Sequence, residues 1–220
     1  MGDILAKYNI LAAFLITIEL AVLSAIGALL IGTIIAIFRV SPVRGLQLIG
    51  TSYVNILRNT PLTVLMVMSI LGLTFILGLE WSKDAKTNGF IWAVIVLSLY
   101  HAAFVCEALR SGVNTVPPGQ AEAARSIGLT FQQSLTEVIL PQAFRGAIAP
   151  LGSTLIALIK NTTVAAVIGV SDAAGLMAEI VENETGGAVV FGLFAIGFVI
   201  LTLPVGIWFT HLSQRLAVKR

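Results

Sequence analysis

The chain has 220 residues, of which 57% are hydrophobic and 11% charged, with 13 Lys and Arg against 11 Asp and Glu. A soluble domain carries roughly 25% charged residues. The composition therefore excludes a soluble globular enzyme, a disordered chain and a nucleic-acid binder acting through a basic patch. What remains is an integral membrane protein with lipid as its solvent.

A helix crossing the hydrocarbon needs about 20 mostly apolar residues. Five runs meet that requirement, at residues 10–38, 54–79, 90–109, 146–169 and 188–212, so residues 1–220 read as one all-α transmembrane domain with five spans. The first run is broken only by Glu19 and is too long for a signal-peptide core. Its Ser24, Ala28, Gly32 and Ala36 recur every four residues, a small-residue face suited to close helix packing. The second run carries Arg58-Asn59-Thr60-Pro61 near its start, where proline disfavours helix at Thr60. Tyr100 and His101 interrupt the third, and its lone Cys106 excludes an internal disulfide or a cysteine metal cluster. The fourth holds Lys160-Asn161-Thr162-Thr163. A segment with Asp172, Glu179, Glu182 and Glu184 follows. It reads as a short surface helix with Leu176, Met177, Ile180 and Val181 on its apolar side. Pro204 should kink the fifth span.

Lys and Arg divide unequally between the two sides of such a bundle. One side collects eight: Arg39, Arg44, Arg110, Arg125, Arg145, Arg215, Lys219 and Arg220. The other collects Lys7, Lys83 and Lys86. The positive-inside bias then puts the N-terminus outside and the C-terminus inside, which five spans satisfy.

The polar segment 113–142 is therefore cytoplasmic. Pro117-Pro118-Gly119 marks a turn, Gln120 to Ile127 reads as a helix, and Gly128 suits its C-cap. Thr130 to Leu140 reads as a second helix, opened by a capping box between Thr130 and Gln133 and ended by Pro141. Phe131, Leu135, Val138 and Ile139 share one face at helical spacing. A loop capped at each helix end is rigid enough to transmit force to a partner.

Gln120 to Gly128 (QAEAARSIG), followed by Ile139-Leu140-Pro141, resembles the EAA loop of the permease subunits of ABC importers. Tyr53 to Leu62 (YVNILRNTPL), Glu107 to Val113 (EALRSGV) and Ile159 to Gly169 (IKNTTVAAVIG) resemble three further motifs of the polar-amino-acid branch, in the same order. The Arg-Asn-Thr-Pro-Leu-Thr and Lys-Asn-Thr-Thr variants are most similar to those of glutamate importers. The resemblance implies a MetI-like, type I permease in the bacterial plasma membrane. Its partners would be a second permease subunit, a heterodimer being favoured, two ATP-binding subunits, an extracytoplasmic binding protein and an amino-acid substrate. Gln120, Glu122, Ala123, Ala124, Arg125, Gly128 and Pro141 would couple to the ATPases. ATP and Mg would be bound by those partners. This chain has no Gly-Lys pair and hence no phosphate-binding loop of the GxxxxGK[ST] type, so it is expected to carry no catalytic residue, cofactor or metal. A passive channel subunit without ATPase coupling is the alternative.

Each ionisable side chain within a span costs at least about 2.5–3.5 kcal/mol, so it faces the protein or a wet cavity. Glu107, Arg58 and Arg110 are expected to form a structural ion cluster or to act at the gate. Asn59, Thr60, Lys160, Asn161 and Thr162 are candidates for the substrate pathway or its gate. His101 is expected to be hydrogen-bonded inside the bundle.

Overall fold

The computed structural model describes residues 7–184 and 187–216, and helix is the only regular structure among them. Lys219 and Arg220, counted above toward the inner face, lie outside the described residues.

Helix α1 (Ile10–Val40) begins where the Asn9 side chain accepts from the Ala12 N–H at 3.0 Å, which satisfies one of the free amides of the first turn. Its small-residue stripe packs within the chain, with Ser24, Ala28 and Gly32 buried. A Cβ at Gly32 would lie 2.7 Å from the Ala102 carbonyl oxygen of α4 (Ala85–Asn114). In lipid no hydrophobic force drives helices together, so this backbone-close contact is what holds α1 on α4.

The second apolar run is not a single helix. It divides into α2 (Arg44–Asn59) and α3 (Leu62–Ile76), which meet at 98°. Thr60 and Pro61 are extended, with ψ 130° and 132°, because the proline ring bars its predecessor from the α region and lacks the N–H that would continue the ladder. The Thr60 hydroxyl donates to Ile56 O at 2.8 Å and the Asn59 amide to Asn55 O at 2.7 Å. From Met68 onward α3 is π-wound. Its first turns bury Leu62 and Met66 in a core with Leu20, Leu97 and Ala165.

Beyond α4, α5 (Pro118–Ser126) ends at Gly128, whose φ is +84°. The capping box expected at Thr130 and Gln133 opens α6 (Phe131–Ile168). Pro141 does not end this helix, contrary to the sequence expectation. Ser134–Ile139 is π-wound, and α winding resumes at Leu140 and runs on to Asn161. The change of winding absorbs a residue that cannot follow the ordinary i→i−4 ladder. From Thr162 the helix tightens to 3₁₀ and stops at Gly169, φ +82°.

The acidic segment forms α7 (Ala173–Asn183), capped by Asp172, which accepts from the Gly175 N–H at 3.0 Å. Ala173 and Ile180 are buried against α8 (Gly187–Leu216), with Leu176 and Met177 beside them. Val181, expected on that apolar side, is exposed instead. Pro204 lies inside α8, which runs unbroken. Four helices, α1, α4, α6 and α8, are long and apolar enough to cross a membrane, and a fifth crossing exists if α2 and α3 together make one.

Candidate functional site: a rigid loop, a charge cluster and a polar seam

The α5–α6 loop is held by backbone hydrogen bonds. The Gly128 N–H donates to Arg125 O at 3.0 Å and the Leu129 N–H to Ala124 O at 3.1 Å, a reversal that needs a left-handed residue. Gln120, Glu122, Ala123, Arg125, Gly128 and Pro141 are exposed, as a docking surface requires. Ala124 is not. It is buried on the side where α5 packs against the π-wound start of α6, so only Ala123 of the pair is free to meet a partner. Ile127 and Phe131 were not singled out as docking residues, yet they are 78% and 70% exposed on either side of Gly128. Of the four residues that share a face by spacing, Phe131 is exposed while Leu135, Val138 and Ile139 are half-buried. The signal for Ile127 and Phe131 lay in the sequence: bulky apolar residues flanking a glycine in a polar loop.

Glu107 gathers the second constellation. Arg110 Nε lies 3.3 Å from its Oε2 and Arg58 3.8 Å from its Oε1. The structure adds Arg39, which donates to Oε1 and whose side chain is only 12% exposed. One carboxylate thus ties together α1, α2 and α4. Arg58 also lies over the Phe104 ring, 5.5 Å from its centroid, a cation–π contact. Arg39 escaped the sequence reading because it ends its own apolar run and looks like an ordinary inner-face charge.

The third lies along α4, α6 and α8. His101 is buried, with Nδ1 3.0 Å from Leu97 O and Nε2 3.2 Å from the Asn161 amide. A carbonyl can only accept, so Nδ1 donates to Leu97 O, and the Asn161 side-chain amide holds Nε2. Asn161 and His101 line a cavity of about 240 Å³ together with Ser153 and Ala157. Ser153 also borders a larger cavity of about 680 Å³ between α6 and α8, across from Thr202 and Thr210. Ser153, Ala157 and Asn161 stand four residues apart and make one face. Ser153 and Thr202 were missed because Ser153 is one of a short Ser-Thr pair and Thr202 a lone hydroxyl, each inside an apolar run.

The remaining pathway candidates divide. Lys160 is exposed beside Asn161. Thr162 is buried and donates to Ile159 O at 2.8 Å, so it lines nothing. Asn59 and Thr60 bond to their own helix at the α2–α3 break. The start of α3 packs on the 3₁₀ segment that follows Asn161, so the two interrupted helices are neighbours. Among the described residues no three His, Cys, Asp or Glu side chains come together as a metal site.

Residues 28–218 match the family described as "Binding-protein-dependent transport system inner membrane component". The "Glutamate transport system permease protein GluC" of Corynebacterium efficiens is 51% identical over 96% of both chains. A solved structure, "Crystal structure of an amino acid ABC transporter with histidines", superposes with a TM-score of 0.85 at 27% identity, covering 94% of this chain and 93% of that one. The inward-facing MetNI methionine ABC transporter is similar in fold, with a TM-score of 0.76 at 18% identity over 95% and 96% of the two chains.

Proposed function

The chain belongs to the family of inner membrane components of binding-protein-dependent transport systems, and from that membership we propose that it is the permease subunit of an ATP-driven importer for glutamate or a related polar amino acid. It is a multi-pass inner-membrane protein and not itself an enzyme. The observation that carries the substrate class is the 51% identity to a glutamate transport permease, which runs over nearly the whole of both chains.

In this reading α2 and α3 make one broken span, five spans put the N-terminus outside, and α5 is the coupling helix. Glu122, Gln120 and Arg125 present polar groups to an ATPase, Ala123 allows close approach, and Ile127 and Phe131 supply the apolar contact that a small polar helix lacks. ATP and Mg are held by two such partners, a second permease completes the pathway, and an extracytoplasmic binding protein delivers the amino acid. Asn161, Ser153 and Lys160 border the route, while Glu107 and its arginines brace the helices around it. The exposed, doubly capped loop favours this reading over a passive channel, which has no use for it.

The test is uptake by the assembled complex in proteoliposomes. Glutamate uptake should require ATP inside the vesicle and be lost in Glu122→Lys with the complex still assembled. ATP-independent flux would establish the channel instead, and ATP-driven uptake of other solutes in preference to glutamate would overturn the substrate assignment.

A further inference from the structure

Two apolar cavities lie end to end where α1 and α8 both approach α6. One, of about 400 Å³, is walled by Ala21, Ala25, Leu155, Ile159, Leu201 and Val205. The other, of about 300 Å³, is walled by Ala25, Leu29, Ile148, Leu155, Trp208 and Leu212. Ala25 and Leu155 border both, so the two form one furrow. Its two hydroxyls are already committed, Thr17 to Ala13 O at 3.2 Å and Thr154 to Pro150 O at 3.0 Å. The furrow offers an occupant no polar partner along its length.

Its dimensions narrow the choice of occupant. From Leu201 to Leu212 it follows α8 for about 17 Å, and from Phe144 to Ile159 it follows α6 for about 22 Å. That is close to the depth of one leaflet, half of a hydrocarbon core of about 30 Å. An acyl chain makes only apolar contacts and needs no polar partner along such a length, which is what the lining offers.

One end is chemically distinct. Arg145 precedes the wall residue Ile148 by one turn, and Arg215 follows the wall residue Leu212 by one turn, which puts each on the furrow's face of its helix. Both are exposed, and neither has an acidic partner among the described residues. Trp208 stands at the same end, edge-on to Phe209 at 4.9 Å, as a tryptophan at headgroup depth does.

We propose that this furrow is a binding site for an anionic phospholipid, one acyl chain lying between α1 and α8 and the phosphate at the Arg145 and Arg215 end. The lipid completes the packing of α8, which rests on α6 and α7 and meets α1 through Phe14, against Phe194, Gly197 and Phe198 at the end away from the arginines. The inference needs only that the chain is a membrane protein, so it stands or falls apart from the substrate.

The experiment is native mass spectrometry of the chain with its co-purifying subunits, after exposure to phosphatidylglycerol or phosphatidylcholine and stepwise delipidation. Phosphatidylglycerol should be retained at least about fivefold more than phosphatidylcholine. Arg145→Gln with Arg215→Gln should abolish that preference, and Ala25→Phe should reduce retention of both lipids. Ile200→Phe, an equally bulky change at an exposed position outside the furrow, should leave both unchanged. A photoreactive residue at Ile26, on the furrow's rim, should cross-link to lipid. Equal retention of the two lipids by the unsubstituted protein, an undiminished preference in the arginine variant, or a cross-link from position 26 to another subunit would each overturn the proposal. So would displacement by excess inorganic phosphate, since that requires no acyl chain. If Ala25→Phe fails to assemble, the arginine variant at exposed positions decides.

Discussion

Gly128→Ala isolates the contribution of one backbone angle to the docking loop. A Cβ at Gly128 meets nothing within 4 Å, so the substitution has no steric consequence. Its φ of +84°, however, is a conformation that an L side chain adopts only at a cost of about 1–2 kcal/mol. The turn has two backbone hydrogen bonds and the seating of Ala124 to oppose that strain. A penalty of this size changes the ratio of closed to open turn by about 5–30-fold. Gly119 supplies the comparison: a Cβ there also meets nothing within 4 Å, and its φ is not positive. Hydrogen exchange over residues 118–131 should rise about 5–30-fold in Gly128→Ala and not in Gly119→Ala, and substrate-stimulated ATPase of the reconstituted complex should fall in step. If Gly128→Ala matches the unsubstituted protein in both exchange and stimulation, the turn does not depend on the glycine and the account of a preformed docking helix fails.

Glu107→Ala strands the mostly buried Arg39. Thermal unfolding in detergent should show a loss of about 3 kcal/mol, the low end for a broken buried pair because the Glu107 side chain is 26% exposed, and Arg58→Ala should lose far less. Gly32→Leu forces a side chain against Ala102 O and Val105, so α1 must move off α4. About 1–3 kcal/mol of destabilisation by overpacking is expected, and unaltered stability would remove α1–α4 contact as the organising interface. Asn161→Ala deletes one hydrogen bond to His101, worth about 1 kcal/mol of stability. If Asn161 borders the route, the KM for the transported amino acid should change by more than that loss accounts for, and an unchanged KM would confine Asn161 to a structural role. Asp172, between α6 and α7, has its carboxyl pushed up to about 6 by burial, against the opposing pull of the Gly175 N–H. Its folded pKa lies above the unfolded one. Its stabilising contribution is therefore complete below about pH 4 and declines as pH rises through about 6. Asp172→Asn keeps a cap at this position and should flatten unfolding midpoints measured from pH 5 to 8. A slope identical to that of the unsubstituted protein would assign the titration elsewhere.

The features readable along the chain were those whose causes are local. The Thr130–Gln133 capping box, the left-handed Gly128 and the break before Pro61 each arise from a few consecutive residues, and each is present where its chemistry required. The error at Pro141 has the same origin in reverse. Proline ends an α-helix by local rules, but the π-wound turns before it change those rules, and nothing in the residues themselves announced the change. Among the candidate residues, exposure separated those that looked alike. Ala123 and Ala124 are chemically identical, and only packing against α6 turns one inward.

Composition and periodicity were sufficient to establish a helical membrane protein, because lipid tolerates few charges and requires long apolar runs. Motif spacing was sufficient to place the capped loop between α5 and α6, since capping geometry is written within a turn or two of chain. The partners of individual polar groups were a different matter. Arg39 meets Glu107 across 68 positions, and His101 meets Asn161 across 60. Which face of each helix turns toward the other depends on close approach of α1, α4 and α6 at their glycines and alanines. Only the folded bundle brings those faces together, and with them the cavities along α6 and the furrow beside α8.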